Sequence, residues 1–267
     1  SNGFSLGGGD AFTNADTVTY SSWHWKAGTS GSGTTTGSGT GKAYSYSVNT
    51  DAGFSIVKYI GNGTNGHTIP HHLGAVPQIL WEKVTVGNTN NWGFYHHKIG
   101  NDKAMYMDQA GTATDDSFLN DTTPSSTVVT LGSNMTNQDG KTFIMYSFAE
   151  KQGYSKFGSY TGNSNADGTY VHLGFKPAFL IVKRTDASYR WTMSDNKRIG
   201  FNRIIHGLAA DSNAAEETGA AYGEFDFTAN GFKCRSAEDG MNVGNIVYMA
   251  WAESPFVSSS GVPTTAR

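Results

Sequence analysis

The residues with the clearest capacity for chemistry are five histidines between positions 67 and 97. They are His67, His71, His72, His96 and His97. Imidazole is a common ligand for transition metals, so such a group first indicates a metal site. His71 and His72, however, are neighbours in a segment expected to be extended, where adjacent side chains point to opposite faces. A later repeat of this segment keeps only His172 at the matching positions. We therefore expect no metal ion and no other cofactor.

Carboxylates, serines and the lone cysteine give little support for catalysis. The pairs Asp115-Asp116, Glu216-Glu217 and Glu238-Asp239 lie in polar connections where solvated loops are expected. No serine stands in a Gly-x-Ser-x-Gly elbow, and Cys234 lies in an alternating run that predicts a buried strand residue. The Gly-rich segment 61–66 lacks the lysine of a phosphate cradle and predicts a hairpin turn. We expect no catalytic residues and no enzyme.

Two polar segments with aromatic residues have a composition suited to contact with saccharides, because aromatic faces stack on sugar rings and amides bond to hydroxyls. The candidates are Asn88, Asn90, Asn91 and Trp92 in one loop, and Tyr189, Arg190 and Trp191 in the other. The alternative is that Trp92 and Trp191 are matched core residues. Their equivalent positions favour that alternative, and the flanking loops then remain the predicted contact surface.

The elements that position these residues belong to an internal sequence repeat. Residues 53–150 are similar in sequence to residues 156–253. Tyr59-Ile60-Gly61-Asn62 recurs as Tyr160-Thr161-Gly162-Asn163, about a hundred residues later. A Phe148-Ala149-Glu150 ending recurs as Trp251-Ala252-Glu253. A repeat of this length indicates two domains of ordinary size in tandem.

A His-Leu-Gly-x-x-Pro motif occurs once in each repeat. Its fixed positions are His72, Gly74 and Pro77 in the first repeat, and His172, Gly174 and Pro177 in the second. We expect the imidazole to bond to backbone groups of a tight turn and the glycine to adopt a positive φ. The apolar runs 77–84 and 177–184, each entered by proline, predict central strands buried on both faces.

Composition predicts an all-β fold of tandem antiparallel β-sandwich modules, jelly-roll-like in character. The chain of 267 residues contains 34 Gly, is 13% aromatic and is only 15% charged, which is typical of short strands joined by many turns. Residues 1–28 are interpreted as the end of a truncated module, and residues 29–52 as a Gly/Ser/Thr-rich linker with an entry strand. Residues 53–152 and 153–257 form the two modules, and residues 258–267 a tail.

Net charge and the length of the apolar runs each argue against one class of partner. The formal charge is −3, which provides no basic field for nucleic acid. No apolar run approaches the roughly 20 residues that a transmembrane helix needs. We expect neither nucleic-acid binding nor membrane insertion.

Several motifs together resemble an uncharacterised repeat module of tail-region proteins from marine bacteriophages. They are segments 53–57, 59–63, 72–77, 154–163 and 252–256, so the resemblance covers nearly the whole chain. The resemblance implies a structural or adhesion protein of the virion, such as a tail fibre or receptor-binding segment. It transfers no catalytic residues.

The expected partners follow from this interpretation. They are other copies of the chain, other virion proteins and a host surface glycan or receptor. Self-association, with a trimer as the usual fibre arrangement, is expected because residues 2–28 would present strands without partners. Two alternatives remain: a free carbohydrate-binding module or lectin, and a polysaccharide depolymerase, which needs two carboxylates across a groove.

Overall fold

The fold is described from a computed structural model, which covers residues 4–8, 13–133, 135–219 and 224–253. Within these residues the chain is almost entirely strands and turns, with one short helix, α1 (Asp239–Asn242). The all-β prediction is therefore confirmed. The tail predicted at 258–267 lies outside the described residues, as do Ser254, Pro255 and Phe256 of the last motif.

The first sandwich consists of an eight-stranded and a three-stranded antiparallel sheet. Its strands are β1 (Thr29–Thr34), β2 (Thr36–Gly37), β3 (Ala43–Asn49), β4 (Phe54–Ile60), β5 (His67–Pro70), β6 (Ile79–Val86), β7 (Gly93–His96), β8 (Lys103–Tyr106), β9 (Thr114–Asp115), β10 (Val128–Leu131) and β11 (Thr142–Phe148). The large sheet has the order β1-β3-β4-β11-β6-β7-β8-β9, and the small sheet has the order β10-β5-β2.

The second sandwich repeats this plan with fewer strands. They are β12 (Ser155–Thr161), β13 (Tyr170–His172), β14 (Pro177–Arg184), β15 (Thr192–Asp195), β16 (His206–Ala209), β17 (Glu217–Thr218), β18 (Phe225–Thr228), β19 (Gly231–Cys234) and β20 (Asn245–Ala252). The large sheet runs β12-β20-β14-β15-β16-β17, and the small sheet runs β13-β19-β18. Strand β19, which pairs with β13, therefore takes the place of β10, which pairs with β5.

Each sandwich encloses its own apolar core between its two sheets. In the first, Ile69 and Leu131 of the small sheet pack with Val57 and Met145 of the large sheet. In the second, Cys234 of the small sheet is buried in the corresponding cluster, as the sequence predicted. Burial raises the pKa of the Cys234 thiol to about 11, so it is a protonated core residue at neutral pH.

A third apolar cluster joins the outer faces of the two large sheets. Phe148 of β11 packs edge-on against Trp251 of β20, with ring centroids 5.8 Å apart, and Phe179 and Met249 belong to the same cluster. The four sheets are therefore stacked, small, large, large, small. This arrangement explains why β14 is buried on both faces, as its apolar run predicted. The same prediction holds only in part for β6, because its outward-facing Trp81 and Lys83 are half-buried.

The segment expected to be a flexible linker is instead part of the first sandwich. Strand β1 pairs along its whole length with β3, and β2 pairs with β5 of the small sheet. Gly31 faces the ring of Tyr46 so closely that a Cβ atom would lie 2.7 Å from the tyrosine oxygen. Glycine is required at positions 31 and 33 because a side chain there would collide with the tyrosine rings of β3.

The N-terminal segment differs from the truncated module that the sequence suggested. Residues 4–8 and 13–28 contain no strand, so they provide no unpaired strand edge. Residues 20–28 form an irregular strap (the N-terminal strap) whose Trp25 contacts aromatic rings of both sandwiches. Its ring lies 5.8 Å from that of Phe148 and 5.1 Å from that of Trp251, centroid to centroid. The strap thus contributes to the joint between the large sheets.

In each sandwich, an asparagine from a later loop holds the loop that begins at the Asn of the Tyr-x-Gly-Asn motif. Asn137 accepts a hydrogen bond from the backbone N–H of Asn62 at 2.9 Å and donates to the carbonyl two residues further on. Asn242 does the same for Asn163, at 3.2 Å, and for the carbonyl two residues beyond it. The segment 61–66 is thereby held as a crossing between the two sheets, and the predicted hairpin is wrong.

The tyrosine of the motif anchors the same loop from the core side. Tyr59 donates its hydroxyl proton to the carbonyl of Thr136 at 2.7 Å, and Tyr160 donates to that of Met241 at 2.5 Å. Both tyrosines are buried. The repeat that is visible in the sequence therefore preserves a structural hydrogen-bond network.

No helix in the described part of the chain is long and apolar enough to span a membrane.

Candidate functional site

An open aromatic cleft of about 560 Å³ lies on the outer face of the first large sheet. Its aromatic walls are formed by the rings of Trp23, Trp25, Phe54, Trp81, Trp92, Tyr146 and Phe148. The strap supplies the first two, strands β4, β6 and β11 supply four others, and Trp92 precedes β7. Aromatic side chains of this kind usually mark a surface that binds something when they remain partly exposed in a soluble protein.

Trp92 is the one loop candidate from the sequence that lines this cleft. Its backbone N–H donates to the Oδ1 atom of Asp108 at 3.1 Å, which fixes the start of β7. Its ring lies 6.3 Å from that of Tyr146 in a stacked arrangement. The indole N–H donates to no acceptor within the described residues, and the side chain is only half-buried. It is therefore available to a ligand.

The second repeat contributes a small residue at the edge of the cleft. The N–H of Met107 donates to the carbonyl of Trp92 at 3.0 Å, and the N–H of Ala210 donates to that of Trp191 at 3.1 Å, so the two positions are equivalent. Both side chains line the cleft. Because alanine stands where the first repeat has methionine, the second sandwich leaves space open beside Trp92.

Polar groups in the cleft are few. Asp108 accepts from Trp92 with Oδ1, which leaves its second oxygen without a protein partner among the described residues. His24 of the strap also lines the cleft and is hydrogen bonded to Ser22 at 2.9 Å. Lys83 lies beneath Trp92, with its ammonium 6.0 Å from the ring centroid, and donates to the carbonyl of Asn90. The polar groups of the lining include the Asp108 carboxylate, the His24 imidazole, the Tyr146 hydroxyl and the indole N–H groups of the tryptophans.

The asparagines of the first loop serve mainly to hold that loop. Asn90 donates through Nδ2 to the carbonyl of Met135 at 3.0 Å, and Asn88 donates to Gln138 at 2.8 Å. Asn91 is half-buried, and neither it nor the other two lines the cleft. The structure therefore separates these asparagines from Trp92, with which the sequence had grouped them.

The loop candidates of the second repeat lie elsewhere. Trp191 is 1% exposed, and its indole N–H is shared between the carbonyls of Tyr106 at 2.9 Å and Gln109 at 3.2 Å in the first sandwich. It is a core residue, as the alternative interpretation held. Tyr189 and Arg190 line a second depression of about 510 Å³, in which Glu217 and Glu238 also lie.

The buried histidines of the first repeat are used as structural hydrogen-bonding groups. His71 accepts from the N–H of Leu73 with Nδ1 and donates from Nε2 to the carbonyl of Ser125 at 3.1 Å. His96 donates from Nε2 to the carbonyl of Tyr248 at 3.2 Å. Burial lowers the pKa of His71 to about 4 and that of His96 to about 3, so both are neutral at physiological pH.

The His-Leu-Gly-x-x-Pro motif behaves partly as predicted. Gly74 and Gly174 have φ of 68° and 85°, in the left-handed region that glycine tolerates. Proline precedes β6 by two residues and begins β14. The predicted role of His72 is wrong, because its ring stacks on Tyr46 at 3.6 Å and bonds to the Tyr44 hydroxyl at 3.0 Å.

The histidines nearest to this motif differ between the repeats. His172 is exposed and bonds to no turn group through its ring within the described residues. The backbone contact expected of His72 is made by its neighbour His71 instead. Position 71 is valine in the second repeat, so the repeat comparison pointed to the wrong histidine.

Sequence reasoning did not identify most of the cleft. Trp23, Trp25, Trp81, Tyr146 and Asp108 are scattered along the chain, and no spacing links them. A signal was nevertheless present, because β6 and β11 carry Trp81 and Tyr146 at directly paired positions. Aromatic residues on the outward-facing positions of strands would have indicated a covered or binding face.

Comparison with known proteins gives a family and nothing closer. No curated protein and no solved structure matches the chain. One family matches over residues 1–255, and it is described as a domain of unknown function, DUF7483. The chain belongs to the DUF7483 family.

Proposed function

We propose that this protein is a non-enzymatic adhesion protein of a bacteriophage virion, a tail-fibre or receptor-binding segment that contacts a host surface glycan. The observation that carries the binding part of the proposal is the aromatic cleft with its half-exposed Trp92. The virion part rests on the resemblance of the repeated motifs to phage tail-region modules. Virion localisation and other virion proteins as partners belong to the same proposal.

The cleft has the properties that saccharide binding requires. Trp81, Trp92 and Tyr146 present flat apolar surfaces, and the half-exposed Trp92 indole offers a donor. Amphipathic aromatic rings bind ligands that have both apolar C–H faces and hydroxyl groups at low entropic cost. Trp81 and Tyr146 stand at paired positions of two strands of a large sheet, so this part of the surface is formed before the ligand arrives.

Trp92→Ala tests the proposal most directly. Trp92 lies outside the apolar clusters, so its loss should remove binding without unfolding the protein. Phe201→Ala is the matched control, since Phe201 is an aromatic residue that is 67% exposed and does not line the cleft. Purified protein should bind glycans or host cells, Trp92→Ala should not, and Phe201→Ala should bind normally. Equal binding by all three proteins would contradict the cleft assignment.

Competition with phage adsorption tests the virion part. The isolated chain should block adsorption of the phage that encodes it, and antibodies to the chain should label its particles. A protein that binds glycans but is absent from particles would instead be a free carbohydrate-binding module or lectin. The same cleft serves either identity, so this experiment separates the two.

We also propose that the chain self-associates, through pairing of the edge strand β1 with another copy. β1 is the edge of the first large sheet, and its residues Thr-Ser-Gly-Ser-Gly-Thr include no charge or proline that would block pairing. Light scattering should show a trimer or another oligomer. Ser32→Lys should weaken it, because a lysine at an edge strand opposes pairing with a second copy. A monodisperse monomer would contradict this part of the proposal.

A depolymerase is the second candidate, and one observation favours it. Glu217 and Glu238 line the same depression as Tyr189 and Arg190. Glycoside hydrolysis needs two carboxyl groups, about 5 to 10 Å apart, on either side of the bond that is cleaved. Release of reducing ends from a bound polysaccharide, lost in Glu238→Gln and in Glu217→Gln, would establish it. Binding without any release would leave adhesion as the function.

A further inference from the structure

We infer that the aromatic cleft selects uncharged saccharides and rejects anionic ones, an inference that rests on the proposed glycan-binding function. The charges at the cleft carry it. Among the described residues, no lysine or arginine lines the cleft, and Asp108 is the one carboxylate in its lining. A sugar acid or a sulfated sugar would therefore enter an apolar site next to a like charge, with no cation to compensate it.

The nearest cation does not change this balance. Lys83 lies 6.0 Å from the centroid of the Trp92 ring, but its ammonium donates to the carbonyl of Asn90 and does not line the cleft. Lys26 of the strap is exposed and is likewise not part of the lining. Neither ammonium is placed to hold an anionic group against the aromatic rings.

Asp108 favours hydroxyl groups for a second reason. Its Oδ1 already accepts the backbone N–H of Trp92, so the carboxylate is held in place, and Oδ2 has no donor in the part of the chain that the structure describes. A carboxylate accepts hydrogen bonds strongly and donates none, which suits a sugar hydroxyl and excludes another carboxylate. The unpaired indole N–H of Trp92 can donate to a second hydroxyl or to a ring oxygen.

The aromatic rings supply the remaining contact. Neutral pyranoses present apolar C–H groups on the face of the ring, and these pack on Trp81, Trp92 or Tyr146 without exposing a charge to the apolar wall. The volume of about 560 Å³ admits a short oligosaccharide rather than a single monosaccharide. The expected ligand is thus a neutral chain of sugars, bound along the cleft.

The test compares four soluble polymers on the wild-type protein: a β-glucan and a galactomannan as neutral probes, and alginate and heparin as anionic probes. We expect binding to at least one neutral probe, with affinity that changes little between low and high salt because no ion pair is involved. Trp92→Ala should lower that affinity by about tenfold or more, as the loss of a central aromatic contact does.

Asp108→Asn provides the second variant. Asparagine keeps an oxygen for the N–H of Trp92 but removes the charge, so affinity for the neutral probe should fall by about fivefold and anionic probes should be rejected less strongly. Salt-sensitive binding of alginate or heparin that is lost in Trp92→Ala would overturn the selectivity and leave the glycan-binding function standing. Failure to bind any of the four polymers or host cells would overturn both.

Discussion

Trp92 and Trp191 occupy equivalent positions in the two repeats, but their side chains have different environments. Each precedes the strand next to the central one, and the backbone N–H of each is bonded to an aspartate, Asp108 or Asp211. The ammonium of a lysine lies 6.0 Å from the centroid of each ring. Trp191 is buried against the first sandwich, whereas Trp92 faces an open cleft.

The difference comes from the joint between the large sheets rather than from either repeat alone. Trp191 is covered because the first sandwich offers it the carbonyls of Tyr106 and Gln109 and the ring of Phe94, 4.7 Å away. Beside Trp92, the second sandwich places the small side chain of Ala210. The repeat therefore preserves the backbone arrangement, and asymmetry at the joint leaves one of the two equivalent tryptophans half-exposed in an open cleft.

The largest expected effect follows from removing the buried member of the pair. Trp191→Ala should lower the free energy of unfolding by about 3–5 kcal/mol, because it leaves a cavity and removes the indole hydrogen bonds to the carbonyls of Tyr106 and Gln109. Trp92→Ala should cost much less. Chemical denaturation of both variants measures the contrast, and equal losses of stability would show that the two tryptophans are packed alike.

The second prediction concerns the asparagines that the repeats share. Asn137→Ala and Asn242→Ala should each cost about 2–3 kcal/mol, because each buried amide satisfies backbone groups that would otherwise remain unbonded. The two losses should be similar, since both residues fix the loop after the first strand of their repeat. Thermal or chemical unfolding of each variant gives the comparison. A large loss in one repeat and none in the other would contradict the shared role.

The third prediction concerns pH. The free energy of unfolding of the first repeat should fall more steeply in acid than that of the second repeat. Burial lowers the pKa of His71 from 6.5 to about 4, so the unfolded chain binds an extra proton between these values. The stability from this residue is present above pH 6.5 and is lost as the pH falls toward 4, by up to about 1.4 kcal/mol per pH unit. The second repeat has Val171 at this position.

His71→Val should therefore reduce the slope of unfolding free energy against pH in this window, whatever it does to stability at neutral pH. His96, whose pKa is also lowered by burial, should maintain part of the slope. His172→Val is the control, because that side chain is exposed. An unchanged slope in His71→Val would show that His71 is not held neutral in the folded protein.

The sequence predicted the parts of the fold that depend on local pattern. Alternation and proline entry located β6 and β14, and the repeat indicated two sandwiches, because these features are encoded within a few neighbouring residues. The strand character of β1 was missed for a physical reason. A Gly/Ser/Thr segment has little strand propensity of its own, and here it is held in the sheet by pairing with β3 beneath two tyrosine rings.

The cleft could not be predicted in the same way. It joins the strap, three strands of the first sandwich and Ala210 of the second, so it depends on how two sheets stack. The polar loop makes Trp92 a candidate, although its match with Trp191 favours a core residue. Its neighbours in the cleft, Trp81 and Tyr146, lie in strands and resemble core residues in sequence. The asparagines beside Trp92 were chosen for their composition, and the structure gives them a role in holding the loop.

The smallest change in stability, with the sharpest effect on function, is expected from Ala210→Met. This substitution gives the second repeat the side chain that the first has at Met107, and it places that side chain in the cleft, beside Trp92. Because the space is open, unfolding free energy should change by no more than about 1 kcal/mol, through added apolar contact or slight crowding. Glycan binding should nevertheless fall sharply, since the methionine would occupy the space meant for the ligand. Ala210→Ser, which is nearly isosteric, should leave binding intact. If Ala210→Met binds as the wild type does, the asymmetry at this position is not what makes Trp92 a binding residue, and the difference between the two tryptophans must arise from the strap.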